Sequence, residues 1–351
     1  MKKLTLLTLS VLAVACGPKT PTCNIEGSVE GLEGKVYLMD TKFNVLDSAE
    51  VTDGKFSLAC EFTEYGRKYL ADNSIPSAVT NFCQMFFEPG KISIQKGENG
   101  LFATGTPAND AYNAFNTTLA AIEKEYSAEE TTEERRAELD AQYDSISNAA
   151  VENNLDNMFG LSMFSQSLFY ELDGQETIDY LSKFSEEMQN TETCKKMLEV
   201  ANGKLAVADG KPYIDFSQAS IDGSEISLKS VVENPANKYV LLDFWASWCG
   251  PCMGEVPFLL NDYAEYHDKG FEIFGSSLDQ SESDWKETVE ERQMNWIHVS
   301  DLKYWENAGA ALYSVRSIPA NFLIDCSTGT IVAHDLRGEA LSAKLAELIG
   351  E

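Results

Sequence analysis

Two cysteines three positions apart, Cys249 and Cys252, are the residues best placed to do chemistry. They follow an apolar run, Tyr239–Trp245, that predicts a buried strand, and they open a helical pattern. The first turn of a helix offers unpaired amide N–H groups and a partial positive charge, and both stabilise a thiolate. Because thiolate is the attacking form in disulfide exchange, we predict a redox-active dithiol. Cys249 is the expected nucleophile and Cys252, one turn further in, the resolving thiol.

A zinc site is the alternative interpretation of a Cys-x-x-Cys pair, and it requires further ligands. The chain has three histidines, His267, His298 and His334, and none of them is spaced as a pair. We therefore predict no metal. We predict no other cofactor either, because the Cys249–Cys252 disulfide itself carries the electrons.

The residues around the pair resemble a known active site. Asp243–Cys252 reads Asp-Phe-Trp-Ala-Ser-Trp-Cys-Gly-Pro-Cys, and Glu255-Val256-Pro257 follows it. Through these motifs residues 212–351 are similar to the thioredoxin-family thiol–disulfide oxidoreductases of the TlpA and ResA kind. The resemblance implies an α/β thioredoxin-like C-terminal domain, with a central mixed sheet flanked by helices. It also implies an enzyme whose partners are protein thiols and disulfides.

The same resemblance gives roles to two carboxylates. Asp243 matches the buried acid beneath the thioredoxin disulfide, which implies a proton acceptor for Cys252. Glu255 matches a glutamate of the ResA-like cavity that is also implicated in proton handling. A desolvated carboxylate has a raised pKa, which suits acid–base catalysis. For Glu255 the alternative is an exposed residue on the first turns of the helix.

A second family signature lies further along the chain. Ser317-Ile318-Pro319-Ala320 resembles the cis-proline loop that faces the cysteines in this family. The resemblance implies that Pro319 shields the sulfurs. It also implies that the backbone of Ile318 is free to pair with an extended substrate segment.

Three more residues are expected to border the sulfurs. Trp248 is predicted to form an apolar rim beside Cys249, and Pro251 to hold the first helical turn so that the sulfurs are in reach. Gly250 and Pro251 are the dipeptide of thioredoxin, which favours a reductant or an isomerase. An extracytoplasmic reductant must be kept reduced, so a membrane electron-relay donor is a further expected partner.

The N-terminus predicts export. A short positive region precedes an apolar stretch, residues 4–14, that is too short to span a bilayer. Ala13-Val14-Ala15-Cys16 then resembles a bacterial lipoprotein cleavage site, with ordinary secretory cleavage near the same point as the alternative. The resemblance makes 1–15 a signal peptide, Cys16 the lipidated residue and 16–22 a tether. That tether contains no acid, which favours a periplasm-facing protein of the cell envelope, held on a membrane by acyl chains.

Periodicity divides the rest of the chain. Residues 23–105 contain short β-branched runs separated by turn signals, whereas 106–205 adopt a helical period. A small β-rich domain and a helical segment therefore precede the domain at 212–351. This order resembles a group of bacterial envelope proteins whose N-terminal β domain has an unknown role. Two hairpins are predicted in residues 23–105, across Asp53-Gly54 and Pro89-Gly90, and a third joins Ala320–Asp325 to Thr330–His334.

Composition and motifs leave two alternative functions open. The formal net charge of −29 repels phosphate backbones, so we predict no nucleic-acid partner. One alternative is a peroxiredoxin-like thiol peroxidase, an antioxidant enzyme. Its typical Pro-x-x-x-Thr-x-x-Cys pattern is missing here, and Ala246 occupies the Thr position. The other is an envelope binding module in the N-terminal half, with secondary redox activity.

The remaining cysteines are predicted either to pair or to stay as buried free thiols. They are Cys23, Cys60, Cys83, Cys194 and Cys326. Cys23 and Cys60 both fall on candidate strands, which makes a bond between them one of the open pairings.

Overall fold

The computed structural model describes residues 21–98 and 100–350, and they fall into two units. Of these described residues, those up to Glu171 together with Ser182–Lys195 form the first unit, and Leu172–Leu181 with those from Lys196 onward form the second. The predicted signal peptide, 1–15, and the predicted lipidation residue, Cys16, lie outside the described residues. Within the described residues, no helix combines the length and the apolar character needed to cross a membrane.

Two four-stranded sheets form the β part of the first unit. In one the strand order is β4 (Lys55–Glu61), β1 (Thr22–Ser28), β7 (Gly90–Gly97), β8 (Gly100–Thr104). In the other it is β3 (Val45–Glu50), β2 (Lys35–Met39), β5 (Gly66–Ala71), β6 (Phe82–Phe87). Side chains alternate along a strand, so Ile25 of β1 and Leu58 of β4, which face each other, share one buried side.

Neither of the two hairpins predicted in residues 23–105 forms a paired ladder, whereas Ala320–Asp325 pairs with Thr330–His334 as predicted. The tight turn at Asp53-Gly54 is present, with φ of 51° and 72° and a bridge between Thr52 and Lys55. Beyond this bridge β3 pairs with β2, whereas β4 pairs with β1. At Pro89-Gly90 the chain likewise passes from one sheet to the other. The two predictions were wrong because a local turn signal alone does not choose the strand partner, which depends on burying distant apolar residues.

Helices follow the strands up to residue 206. They are α1 (Pro107–Tyr126), α2 (Glu133–Glu152), α3 (Met158–Gln166), α4 (Gly174–Leu181), α5 (Glu186–Gln189) and α6 (Glu192–Ala206). Side-chain caps define some of their starts, since Thr132 accepts from the N–H of Arg135 and Asn157 from that of Gly160. The division between the units passes through the predicted helical segment 106–205, because α4 and most of α6 belong to the second unit.

The second unit contains a mixed seven-stranded sheet. Its strand order is β10 (Glu225–Ser227), β9 (Ser217–Ser220), β13 (Ile297–Ser300), β12 (Phe271–Ser277), β11 (Tyr239–Trp245), β14 (Ala320–Asp325), β15 (Thr330–His334). Strands β11, β12 and β13 are parallel, and β14 runs antiparallel to β11. The associated helices are α7 (Leu228–Val232), α8 (Gly250–Tyr266), α9 (Glu282–Glu291), α10 (Ala308–Leu312) and α11 (Glu339–Ile349). The predicted fold class, a thioredoxin-like domain after a β-rich and a helical region, is confirmed.

Strands β11 and β12 lie in the interior of this sheet, and both are buried. Every residue of β12 and all but the first of β11 are buried. Strands covered on both faces read as continuous apolar runs, as Tyr239–Trp245 does. The carboxyl end of β11 leads directly into the loop before α8, which carries the cysteines.

Candidate active site

Cys249 and Cys252 lie at the start of α8 and form a disulfide. Cys249 is the N-cap residue, and its Sγ accepts a hydrogen bond of 3.2 Å from the backbone N–H of Cys252. Pro251 occupies the first turn, where its missing N–H costs no intrahelical bond. Both cysteines are almost fully covered. The helix therefore directs an amide donor and its positive end at the sulfur of Cys249, an arrangement that favours the thiolate after reduction.

The loop before β14 faces this sulfur. The Ile318–Pro319 peptide bond is cis, and the carbonyl oxygen of Ile318 lies 3.7 Å from Sγ of Cys249. The structure thus brings together the two segments that were expected to meet on the basis of the family resemblance.

An exposed aromatic cluster borders the dithiol. Trp248 is 47% exposed, and its ring centroid lies 5.1 Å from that of Tyr304 and 6.1 Å from that of Trp305. Trp245, three residues earlier, is buried in the core. The apolar rim predicted at Trp248 is broader than the sequence indicated, because Tyr304 and Trp305 extend it. Tyr304 and Trp305 were missed, and the signal for them was an adjacent aromatic pair shortly before α10.

Asp243 is a buried carboxylate in the middle of β11. It lies opposite Asn321 of β14 in the strand register and is 5% exposed. Burial raises the pKa of Asp243 to about 7, the positive charge of Arg337 opposes this rise, and the negative charge of Glu255 adds to it. Asp243 therefore changes its protonation state near neutral pH.

Glu255 is half-buried on α8 rather than exposed. Its Oε2 accepts a hydrogen bond of 2.8 Å from the backbone N–H of Gly338, the N-cap residue of α11. The carboxylate thus joins the first turns of α8 to the start of α11. Its charge is also felt at Asp243, so the two acids form one electrostatic group.

Arg337, which the sequence did not single out, connects this group to the proline loop. Its guanidinium donates to the carbonyl oxygens of Pro319 and Leu336, the latter at 3.0 Å, and to Asp335 at 3.2 Å. Arg337 follows β15, so its arrival beside Pro319 depends on how β14 and β15 pair. Without the fold, nothing in the local sequence indicates this contact.

Asp279 fixes the loop that leads into Cys249. This carboxylate is 1% exposed and accepts hydrogen bonds from the backbone N–H of Ser247 at 3.0 Å, from its Oγ at 2.5 Å and from Oγ of Ser277 at 2.6 Å. These hydrogen bonds supply the partners that a buried polar side chain requires. The segment carrying Trp248 is therefore tied to the end of β12.

The histidines do not form a metal centre. Burial lowers the pKa of His298 to about 4, and one of its ring nitrogens lies 3.0 Å from the carbonyl oxygen of Met294. Across residues 21–98 and 100–350, no group of three or more His, Cys, Asp or Glu side chains is placed to hold a metal ion.

The fold and the cysteine geometry define a thioredoxin-fold dithiol protein. Residues 210–334 match the AhpC/TSA family, and residues 23–112 match a domain of unknown function, DUF4369. The thiol–disulfide oxidoreductase ResA of Bacillus thuringiensis is 30% identical over 145 residues, which are 40% of this chain and 76% of that protein. ResA of Oceanobacillus iheyensis is 36% identical over 120 residues, 34% of this chain and 59% of that protein.

A solved structure is similar as well. The thioredoxin domain of a thiol–disulfide oxidoreductase from Bacteroides vulgatus is 34% identical, covering 40% of this chain and 98% of that domain with a TM-score of 0.37. From the sequence relatives, this chain belongs to the TlpA/ResA-like thiol–disulfide oxidoreductases. It is an enzyme that exchanges thiols and disulfides.

Proposed function

We propose that the chain reduces or isomerises protein disulfides in the cell envelope, anchored through lipid on Cys16 and facing the periplasm. The dithiol assignment rests on the position of Cys249. Its sulfur accepts a hydrogen bond from a backbone N–H in the first turn of α8 and faces the cis-proline loop. The thioredoxin dipeptide Gly250-Pro251 supports the reducing direction. The lipoprotein-like segment ending at Cys16 supports the location.

In this mechanism the reduced enzyme acts in two steps. The Cys249 thiolate attacks one sulfur of a substrate disulfide, so that a mixed disulfide forms and the other substrate sulfur leaves as a thiolate. Cys252 then loses its proton to Asp243 and attacks Cys249. The second substrate sulfur leaves, and the Cys249–Cys252 disulfide remains. Two electrons pass to the substrate, and a membrane dithiol partner must return them.

The surroundings of the dithiol suit each step. The Ile318–Pro319 segment lies against the sulfurs, where an extended substrate backbone pairs with it. Trp248 offers an apolar contact beside the bond under attack. With a pKa of about 7, Asp243 accepts a proton from a thiol more readily than a carboxylate of ordinary pKa, which is too weak a base.

The reduction potential of the Cys249–Cys252 pair tests the direction. A value near thioredoxin's, about −270 mV, supports a reductant, whereas a value near about −120 mV means an oxidant. Cys252→Ser is expected to trap a stable mixed disulfide with substrate, and Cys326→Ser, which removes a thiol outside the pair, to change neither result. The absence of any reversible couple would contradict the enzyme mechanism.

Two further measurements separate the other parts of the proposal. Peroxide consumption that outpaces disulfide reduction would favour the peroxidase alternative. For the anchor, metabolic labelling with a fatty acid should modify the chain and place it in the membrane fraction, and Cys16→Ala should abolish both. Secretion of unlabelled wild-type chain would show that an ordinary signal peptide is present instead.

A binding role for the first unit is a second candidate, favoured by one cleft. The cleft has a volume of about 660 Å³, within the range of ligand sites, with buried Phe86 and Phe159 in its lining and polar groups such as Arg67 and Gln84. Saturation-transfer NMR of the full chain with a mixture of aromatic dipeptides tests it. Tyr112→Ala, which alters the lining, should reduce the signal. An unchanged or absent signal would argue against a site for such dipeptides.

A further inference from the structure

Two free thiols of the first unit face each other across a pair of strands. Cys23 of β1 and Cys60 of β4 are direct register partners in an antiparallel ladder, and both are free. Directly opposite residues project from the same face, with Cβ atoms about 4.5–5.5 Å apart. Cys23 is fully buried in the core of this unit, and Cys60 packs against the same core from a partly exposed position.

The backbone spacing at this pair fits a disulfide. Phe62 donates its N–H to the carbonyl of Pro21, so the two residues form a hydrogen-bonded position just beyond the ladder. Hydrogen-bonded and non-hydrogen-bonded pairs alternate, which makes Cys23 and Cys60 a hydrogen-bonded pair with Cα atoms about 5.5 Å apart. Disulfides span Cα separations of about 4.4–6.8 Å. The Cβ atoms must close to about 3.5–4.5 Å, and β4 is an edge strand whose one neighbour in the sheet is β1.

We propose that Cys23 and Cys60 form a second dithiol–disulfide couple, which is oxidised by exchange with a small-molecule or protein disulfide. The other described cysteines have no comparable partner, since Cys83 faces Leu70 in the other sheet of the unit. Closing the couple joins β4, an edge strand, covalently to β1. The couple is separate from the Cys249–Cys252 dithiol and does not depend on its proposed direction.

The exchange divides between an accessible and a buried thiol. Cys60 attacks the oxidant disulfide, a mixed disulfide forms on Cys60, and one oxidant thiol leaves. Cys23 then attacks the sulfur of Cys60, the internal bond forms, and the second oxidant thiol leaves. The two cysteines lose two electrons and two protons, and the two released thiols gain them.

The surroundings make this exchange slow. Burial raises the pKa of Cys23 to about 12, and burial together with the nearby charge of Asp47 raises the pKa of Cys60. A carboxylate oxygen of Asp47 lies 4.0 Å from Sγ of Cys60. Glu88 also contributes its charge at Cys23. Little thiolate is present at neutral pH, so the couple responds to sustained oxidising conditions rather than to each catalytic turnover.

The test is a redox titration of the full chain carrying Cys249→Ser and Cys252→Ser, with glutathione disulfide as the oxidant. After denaturation and alkylation, peptide mapping should show the Cys23 and Cys60 peptides joined with the loss of two hydrogens. Cys83 and Cys194 should be alkylated throughout. Asp47→Asn should speed the reaction several-fold because it removes the charge that opposes thiolate formation at Cys60.

Control variants keep the test decisive. In Cys60→Ala, Cys23 should be fully alkylated at every glutathione ratio. The same substitution in a chain with an intact Cys249–Cys252 dithiol should leave the disulfide reductase rate unchanged, which shows that the second unit is intact. The proposal is overturned if Cys60 accumulates as a glutathione adduct without a Cys23–Cys60 bond. It is also overturned if both cysteines are still alkylated as free thiols at every glutathione ratio.

Discussion

At the residue scale, the pKa of about 7 at Asp243 links stability to pH. The unfolded carboxyl has an ordinary pKa near 3.8, so between these two values the folded state binds more protons than the unfolded state. Stability therefore falls as pH rises through this window and stays low above it. Asp243→Asn should raise the free energy of unfolding at pH 8 by about 2–4 kcal/mol, and the gain should disappear toward pH 4.

Tryptophan fluorescence during urea unfolding measures this effect, because all five tryptophans lie in the second unit. A gain that is the same at pH 4 and pH 8 would mean that ionisation of Asp243 is not its cause.

The same substitution tests the catalytic role of Asp243. If the carboxylate accepts the proton of Cys252, then Asp243→Asn should slow resolution of the mixed disulfide by about 100-fold above pH 7. Asp262→Asn is the matched control. Asp262 is also a buried acid with a raised pKa, but its hydrogen bond is to Ser342, so its replacement should leave the rate unchanged. Equal slowing in both variants would point to a general effect of buried charge.

Two variants of Arg337 distinguish the effect of its charge from the effect of its hydrogen bonds at the proline loop. Arg337→Gln removes the positive charge that opposes the rise at Asp243, so the pH midpoint of substrate reduction should move upward. Arg337→Lys keeps that charge but loses the planar fork that reaches the carbonyl oxygens of Pro319 and Leu336. Its midpoint should stay close to that of the wild type while its rate falls several-fold. Identical pH–rate profiles for the two variants would rule out an electrostatic role for Arg337.

At the scale of elements, the loop between β11 and α8 depends on a carboxylate from the end of β12. Asp279→Asn replaces a carboxylate that accepts three hydrogen bonds with an amide. The NH2 group of that amide is a donor, so it cannot accept the hydrogen bonds that one carboxylate oxygen accepted. We expect a loss of about 1–3 kcal/mol in stability and a lower reductase rate, because the Trp248 segment is no longer fixed.

Ser276→Ala is the comparison for this loop. It removes a buried hydrogen bond from β12 to Gln218 of β9, and Ser276 makes none of the hydrogen bonds to Asp279. Stopped-flow kinetics and urea unfolding on both variants should show lost stability in each, but a slower reaction only for Asp279→Asn. A slower reaction in both would mean that the whole sheet, rather than the loop, sets the rate.

Some elements were predictable from the sequence because one local pattern determines them. The apolar run Tyr239–Trp245 coincides with β11, and the Cys249 motif lies at the start of α8, as a strand followed by a helix requires. The pairing of β14 with β15 was predictable from the turn residues between them, whereas the pairing of β4 with β1 was not, since it depends on distant residues. Arg337 and Asp279 were not predicted either, because only the packing of distant segments brings Arg337 to the proline loop and Asp279 to the loop before Cys249.

At the scale of the whole molecule, the boundary between the two units carries the last prediction. The motifs place the start of the redox domain at residue 212, but α6 lies before it and belongs largely to the second unit. Val207, just after α6, is 2% exposed in the core of that unit. Gly203 on α6 approaches Ser314 so closely that a Cβ would lie 1.8 Å from its Oγ.

A chain that starts at Glu192 keeps these contacts, and one that starts at Pro212 loses them. Burial of a side chain such as Val207 contributes about 1.5–3 kcal/mol, so the longer chain should be more stable by at least that order. Urea unfolding followed by tryptophan fluorescence compares the two directly, and Gly203→Ala in the longer chain should remove part of the difference through the clash with Ser314. Equal stabilities would place the functional boundary at residue 212 and make α6 a connecting segment rather than part of the redox unit.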